Sequence, residues 1–220
     1  MTDRIEAVRR FSDEVGDEVP IQGWIEGPAA EAADLFGMED FLMATLMDPD
    51  FAGELMDWVV EMETRFALAQ VEAGAHLIGM GDAAASLLSP EYYREETAPR
   101  ERRIVEAIHE AGAAVRLHIC GSVEGKFEAM AGTGADILDI DFPQSIASVR
   151  KAVGPGVCLS GNVHPTEGVY RGTPEGVRAA FAACHEEAGE RYILGAGCEI
   201  PPGTPEANLR AMFDYAASVS

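Results

Sequence analysis

The sequence predicts an α/β fold of the (β/α)8-barrel type, with about six of the eight strands present. Short apolar runs alternate with capped helical segments along the whole chain, the pattern of a parallel sheet with crossover helices. Polar and reactive residues follow several different runs: Glu26, Asp82, His118 with Cys120, Asp141, Asn162 with His164, and Cys198 with Glu199. Chemistry spread over many strand ends is what the carboxyl face of a barrel produces. The first strand leads into Gly23-Trp24-Ile25-Glu26-Gly27-Pro28, which lacks the glycine spacing of a dinucleotide-binding doubly wound sheet. A full barrel takes about 250 residues, so a chain of 220 falls short by roughly two βα units.

The elements follow in order. Ile5, Val8, Phe11 and Val15 keep helical spacing, and Asp17-Glu18-Val19-Pro20 leads into a strand near 19–25. A small capping residue, a proline and an acid then recur as Asp48-Pro49-Asp50, Ser89-Pro90-Glu91, Thr173-Pro174-Glu175 and Thr204-Pro205-Glu206. The cap accepts from a free backbone N–H, proline suits the first helical position, and the acid complements the helix dipole. The first signature opens a long helix ending at Gly74, with Phe51, Leu55, Trp58, Met62, Phe66 and Ala69 as its expected core stripe. The second carries Ile104 and Ile108 to Gly112, and the third carries Val177 and Phe181 to Gly189. The remaining strands are expected near 76–80, 114–119, 137–140, 157–160 and 192–194. No linker or change of composition divides them, so residues 1–220 read as a single domain.

A formal charge of −22, from 16 basic and 38 acidic residues, speaks against nucleic acid or an anionic membrane as partner. The charged start Met-Thr-Asp-Arg-Ile-Glu has no signal-peptide core, and no apolar run is long enough for a membrane span. A cytoplasmic protein is expected. Cysteines at 120, 158, 184 and 198 do not look like a disulfide framework in such a chain.

Two stretches concentrate the chemistry. In Arg116-Leu117-His118-Ile119-Cys120-Gly121, residues i and i+2 of a strand share a face, so imidazole and sulfur can meet at one point. In Leu194-Gly195-Ala196-Gly197-Cys198-Glu199, another strand delivers a lone cysteine. One histidine and two cysteines suit zinc, and three protein ligands leave the fourth position open, as in a catalytic site. By itself the pattern is short, and a buried cysteine is more often a small hydrophobe.

Longer motifs join these stretches. Leu117-His118-Ile119-Cys120-Gly121, Gly161-Asn162-Val163, Gly172-Thr173-Pro174-Glu175 and the run from Gly197-Cys198-Glu199-Ile200-Pro201-Pro202 to Asn208-Leu209 resemble the uroporphyrinogen decarboxylase superfamily. They are similar above all to its zinc-containing, corrinoid-dependent branch, the methylcobamide:coenzyme M methyltransferases. The resemblance implies a TIM barrel with zinc on His118, Cys120 and Cys198, binding an acceptor thiol such as coenzyme M as a thiolate. The methyl donor it implies is a methylcobamide carried by a partner corrinoid protein. The metal-free decarboxylase branch is the alternative. It resembles this chain less, because it has histidine where Cys198 stands and an arginine-rich N-terminal segment that nothing here matches. Measured against the family, the first two βα units are missing. That makes a homo-oligomer, a complementing subunit or a catalytically silent barrel segment the further expectations.

Among the other polar residues, Asp82 is expected at substrate or beside the metal, or holding a turn. Glu26 is expected to orient a ligand or cap a helix. Asn162 is a candidate site residue, His164 a weaker one, and Glu199 a candidate fourth metal ligand. Cys158 and Cys184 are expected in the core, and His76, His109 and His185 as structural or surface residues.

Overall fold

In the computed structural model, which describes residues 1–219, six parallel strands form one sheet in chain order. They are β1 (Gln22–Glu26), β2 (Leu77–Gly81), β3 (Ala114–Ile119), β4 (Ile137–Ile140), β5 (Cys158–Val163) and β6 (Tyr192–Ala196). Among the described residues β1 and β6 are the two edges. Helix α1 (Thr2–Val15) precedes the sheet. Helices α2 (Pro28–Phe36), α3 (Met38–Met47) and α4 (Pro49–Glu72) connect β1 to β2. A 3-10 turn (Ala83–Leu87) follows β2, and α5 (Pro90–Tyr92) runs through a π-helical turn (Tyr93–Thr97) into α6 (Ala98–Glu110). Then come α7 (Phe127–Gly132), α8 (Ile146–Val153), a second π-helical turn (Pro165–Tyr170), α9 (Pro174–Ala188) and α10 (Glu206–Val219). None of the described helices is long and apolar enough to cross a membrane.

All six expected strands are present, and three of the four helix signatures cap as read. Asp48 accepts from the Phe51 amide, Ser89 from Tyr92 and Thr173 from Gly176. The fourth differs. The Thr204 hydroxyl donates back to the Pro201 carbonyl at 2.7 Å, and α10 begins only at Glu206.

Alternation sorts the strands into two faces. Ile25, Ile78, Met80, Val115, Leu117, Leu138 and Leu159 face the helices and are almost completely buried, each worth about 1.5–3 kcal/mol of transfer free energy. They meet Met56 and Val59 of α4 and Ile104 and Ile108 of α6 in the main core, while Val163, Val177 and Phe181 form a second cluster. The expected stripe of α4 holds in part: Phe66 is buried and Leu55 packs against the core, but Phe51 and Trp58 are exposed, and Ala52, Met56, Val59, Val60 and Ala67 make up the rest of the buried face. Both stripes satisfy helical spacing, and the one with smaller residues lets the helix approach the sheet closely. Phe11 is likewise exposed, and Val8 is the buried residue of α1.

On the inner face the register puts Trp24, Gly79, Arg116, Ile137 and Cys158 in one row. Gly81, His118, Asp139 and Ser160 lie in the next. Gly79 and Gly81 have a clear reason to lack side chains, because a Cβ on either would run into the Trp24 ring. At the free edge of β1, the buried Gln70 side chain of α4 accepts from the Trp24 amide at 3.0 Å and donates to its carbonyl at 3.1 Å.

Candidate metal centre

The candidate donors converge where β3 and β6 end. His118 Nε2 lies 3.0 Å from Cys120 Sγ, and Cys120 Sγ lies 3.8 Å from Cys198 Sγ. All three donor atoms fall within 4.8 Å of one another. His118 is buried, and the two cysteines are half-buried and free of disulfides. The donor set, an imidazole and two sulfurs close to one another, fits a soft divalent ion.

Neighbouring strands fix the geometry. His118 Nδ1 donates toward Asp139, with its Oδ2 and its carbonyl each 3.1 Å away, which leaves Nε2 for the sulfurs. The Asp139 carboxylate also accepts from Arg116 at 2.7 Å. Burial disfavours the imidazolium, but Asp139 and Cys120 outweigh it and hold the His118 proton up to about 11. His118 in turn draws the Cys120 thiol below its ordinary value. Burial raises the Asp139 carboxyl, yet His118 and Arg116 bring it below its ordinary value. Asp139 Oδ1 and Arg116 Nε are buried without a protein partner.

The segment after β4 ties the two cysteine loops together. Asp141 accepts from the amides of Gly121, at 2.6 Å, and Phe142, at 2.7 Å. Gln144 donates to the Gly121 carbonyl at 3.2 Å. Asn162 donates to the carbonyls of Gln144, at 2.6 Å, and Asp141, at 3.3 Å. Gly197 packs so closely on Phe142 that a Cβ there would collide with its backbone nitrogen. Cys120 and Cys198 are thus placed against the same loop.

The other expected site residues are distributed differently. Asp82 is fully buried, and its carboxylate accepts from the amides of Ala30, at 2.6 Å, and Ala29, at 3.3 Å, at the start of α2. Burial pushes it up to about 6. Asn162 is buried and holds the loop just described. Glu199 is exposed beside Cys198 and outside the donor group. Glu26 is half-buried, accepts from the Trp24 indole at 3.1 Å and is raised by burial. His164 caps the turn after β5 and stacks on Phe142 at 3.9 Å. Cys158 and Cys184 are half-buried, the latter with its thiol 3.6 Å from Asn162 Oδ1. His76 accepts from the Ile21 amide, His109 pairs with Asp136, and His185 meets the Tyr215 hydroxyl.

Sequence reading passed over Arg116, Asp139, Gln144 and Gly197. A signal for Asp139 was present, since it is a lone acid inside the apolar strand Ile137–Ile140.

Comparison with known proteins covers the whole of this architecture. The uroporphyrinogen decarboxylase (URO-D) family model matches residues 2–219. A uroporphyrinogen decarboxylase of Prochlorococcus marinus is 30% identical over 224 residues, covering 98% of this chain and 63% of the relative. A methylcobamide:CoM methyltransferase of Methanosarcina mazei is 32% identical over 214 residues, covering 96% of this chain and 62% of the relative. A solved methyltransferase structure from Methanosarcina mazei superimposes with a TM-score of 0.90 at 28% identity, over 98% of this chain and 63% of that one. The chain therefore spans a little over three-fifths of the length of these relatives.

Proposed function

The chain belongs to the uroporphyrinogen decarboxylase family, and on that footing we propose that it is a zinc-dependent methyltransferase of the corrinoid type. The observation that carries the reading is the convergence of His118, Cys120 and Cys198 within 4.8 Å, in a chain similar to methylcobamide:CoM methyltransferases. His118 Nε2 and the two sulfurs would hold the metal. Bound there, zinc supplies Lewis-acid stabilisation of an acceptor thiol as its thiolate. Asp139 keeps the imidazole in the orientation that frees Nε2. Asp141, Gln144 and Asn162 keep the cysteine loops in register, so the donors hold fixed positions for a metal and its bound thiol. Glu199 is the candidate fourth donor before the thiol arrives, and Asp82, whose backbone amide donates to the His118 carbonyl at 2.9 Å, holds the end of β3. The methyl donor is a methylcobamide on a partner corrinoid protein, and the acceptor a small thiol such as coenzyme M.

Decarboxylation of a tetrapyrrole is the second reading, favoured by the 30% identity to a uroporphyrinogen decarboxylase. It requires no metal. Because the chain covers 63% of such relatives, partners that include a second copy or a complementing subunit belong to the proposal under either reading.

Metal analysis of purified protein, with and without Cys198→Ala, separates the two. The methyltransferase reading expects about one zinc per chain, lost or strongly weakened in the variant. It also expects demethylation of free methylcobalamin on addition of coenzyme M, followed by the cobalamin absorbance. A protein without zinc that consumes uroporphyrinogen would establish the decarboxylase. One that binds zinc and does neither would be the silent segment.

A further inference from the structure

Beyond the exposed acids Glu39 and Asp40 of its first turn, helix α3 exposes apolar side chains. Phe41, Ala44 and Thr45 point into the protein and are buried, while Met43, Leu46 and Met47 are 52%, 76% and 77% exposed. A surface helix normally keeps one polar face, and one that is apolar all round is normally covered. The exposed side continues onto neighbouring elements. Leu35 and Phe36 end α2, Phe51 begins α4, and the Phe36 and Phe51 rings touch at 5.0 Å between centroids. Six large exposed apolar side chains are thus carried by three consecutive helices, two of them in ring contact, a concentration that calls for an explanation. Two of these three α3 side chains are methionine, whose flexible thioether adapts to a partner's shape.

The segment that carries these side chains has charges of a single sign. Between Arg10 and Arg65 the chain contains no lysine, arginine or histidine. Asp34, Glu39, Asp40, Asp48, Asp50 and Glu54 flank the patch in sequence. Beside it, a cleft of about 620 Å³ is lined by Asp50, Glu54, Glu91 and Glu95. Its arginine, Arg100, is already paired with Asp57 and Glu96. A second copy docking here would bring two acidic rims together, and an anionic membrane would be repelled in the same way. Like-charge juxtaposition at an interface is strongly unfavourable.

We propose that the outer face of α3, with Leu35, Phe36 and Phe51, docks a separate protein whose contact surface has an apolar centre ringed by lysine and arginine. The inference does not depend on the chemistry assigned to the metal centre.

The test uses the full chain and a synthetic amphipathic helix with a leucine face flanked by lysines, titrated by calorimetry. Saturable one-to-one binding is expected. Leu46→Asp with Met47→Asp should weaken it at least tenfold. That variant makes the protein more acidic, so general charge attraction would act in the opposite direction. Asp50→Asn with Glu54→Gln should also weaken binding and flatten its salt dependence. All four side chains are exposed, and circular dichroism checks that both variants fold. Absence of binding, or binding undiminished by the apolar pair of substitutions, would overturn the proposal. So would a wild-type dimer in sedimentation that this variant dissociates, since the occupant would then be a second copy.

Discussion

Asp139 has no place in the donor set, yet the geometry of His118 depends on it. Its carboxylate accepts from both Arg116 and His118 Nδ1. Removing such an outer partner of a metal-bound histidine typically costs about 10–100-fold in affinity. Asp139→Ala is therefore expected to weaken zinc binding by that factor in a chelator competition, while Asp139→Asn, whose amide oxygen still accepts from Nδ1, recovers part of it. A second acid gives a prediction about pH. Glu63 is buried with Oε2 unpartnered, and burial, then the neighbouring Glu31 and Glu26, push it up to about 7. A carboxyl raised in the folded state carries no penalty below its ordinary value near 4.5, where it is neutral folded and unfolded. Its ionisation then opposes folding as pH rises through about 7. Glu63→Gln should accordingly melt higher than wild type at pH 8, by roughly 2–4 °C for each kcal/mol relieved in a chain of this size. The two should coincide at pH 4. At this scale His118 and Cys120 stood out because residues i and i+2 of a strand share a face, and Cys198 joined them through the motifs that resemble the family. The partnership of Asp139 with His118 was not legible in the sequence, since it arises only when β3 and β4 pair with those residues in register.

Among elements, α4 shows where periodicity stops being informative. Phe51, Leu55, Trp58 and Met62 and the row Ala52, Met56, Val59 and Val60 both repeat at helical spacing. Bulk favours the first row, and close packing on the sheet selects the second. Urea denaturation separates them. Met56→Ala should cost about 2–5 kcal/mol as a cavity in the core, whereas Trp58→Ala, with the side chain 54% exposed, should cost much less. The loop after β6 offers a comparable test at the site. Gly197 leaves no room for a Cβ against Phe142, so Gly197→Ala must shift the loop that carries Cys198. Zinc binding is expected to fall at least tenfold while the far-ultraviolet spectrum is retained, because the displaced loop lies outside the main core. A variant that binds zinc normally would mean that Cys198 does not owe its position to this contact.

For the molecule as a whole, the alternation of strands and capped helices sufficed to anticipate six parallel strands, and the order β1 to β6 is the simplest arrangement of consecutive βα units. The acidic rim around an apolar α3 was equally present in the sequence. It was hidden because helical spacing does not tell a covered face from an open one. Gln70 settles a different matter. Sheet edges are sites of chain growth, and a molecule with two live ends can polymerise without limit. By occupying both backbone groups of Trp24, in the middle of β1, the Gln70 side chain acts as a chain terminator on that side. The middle of β1 is thereby closed to a further strand by a side chain of the same molecule.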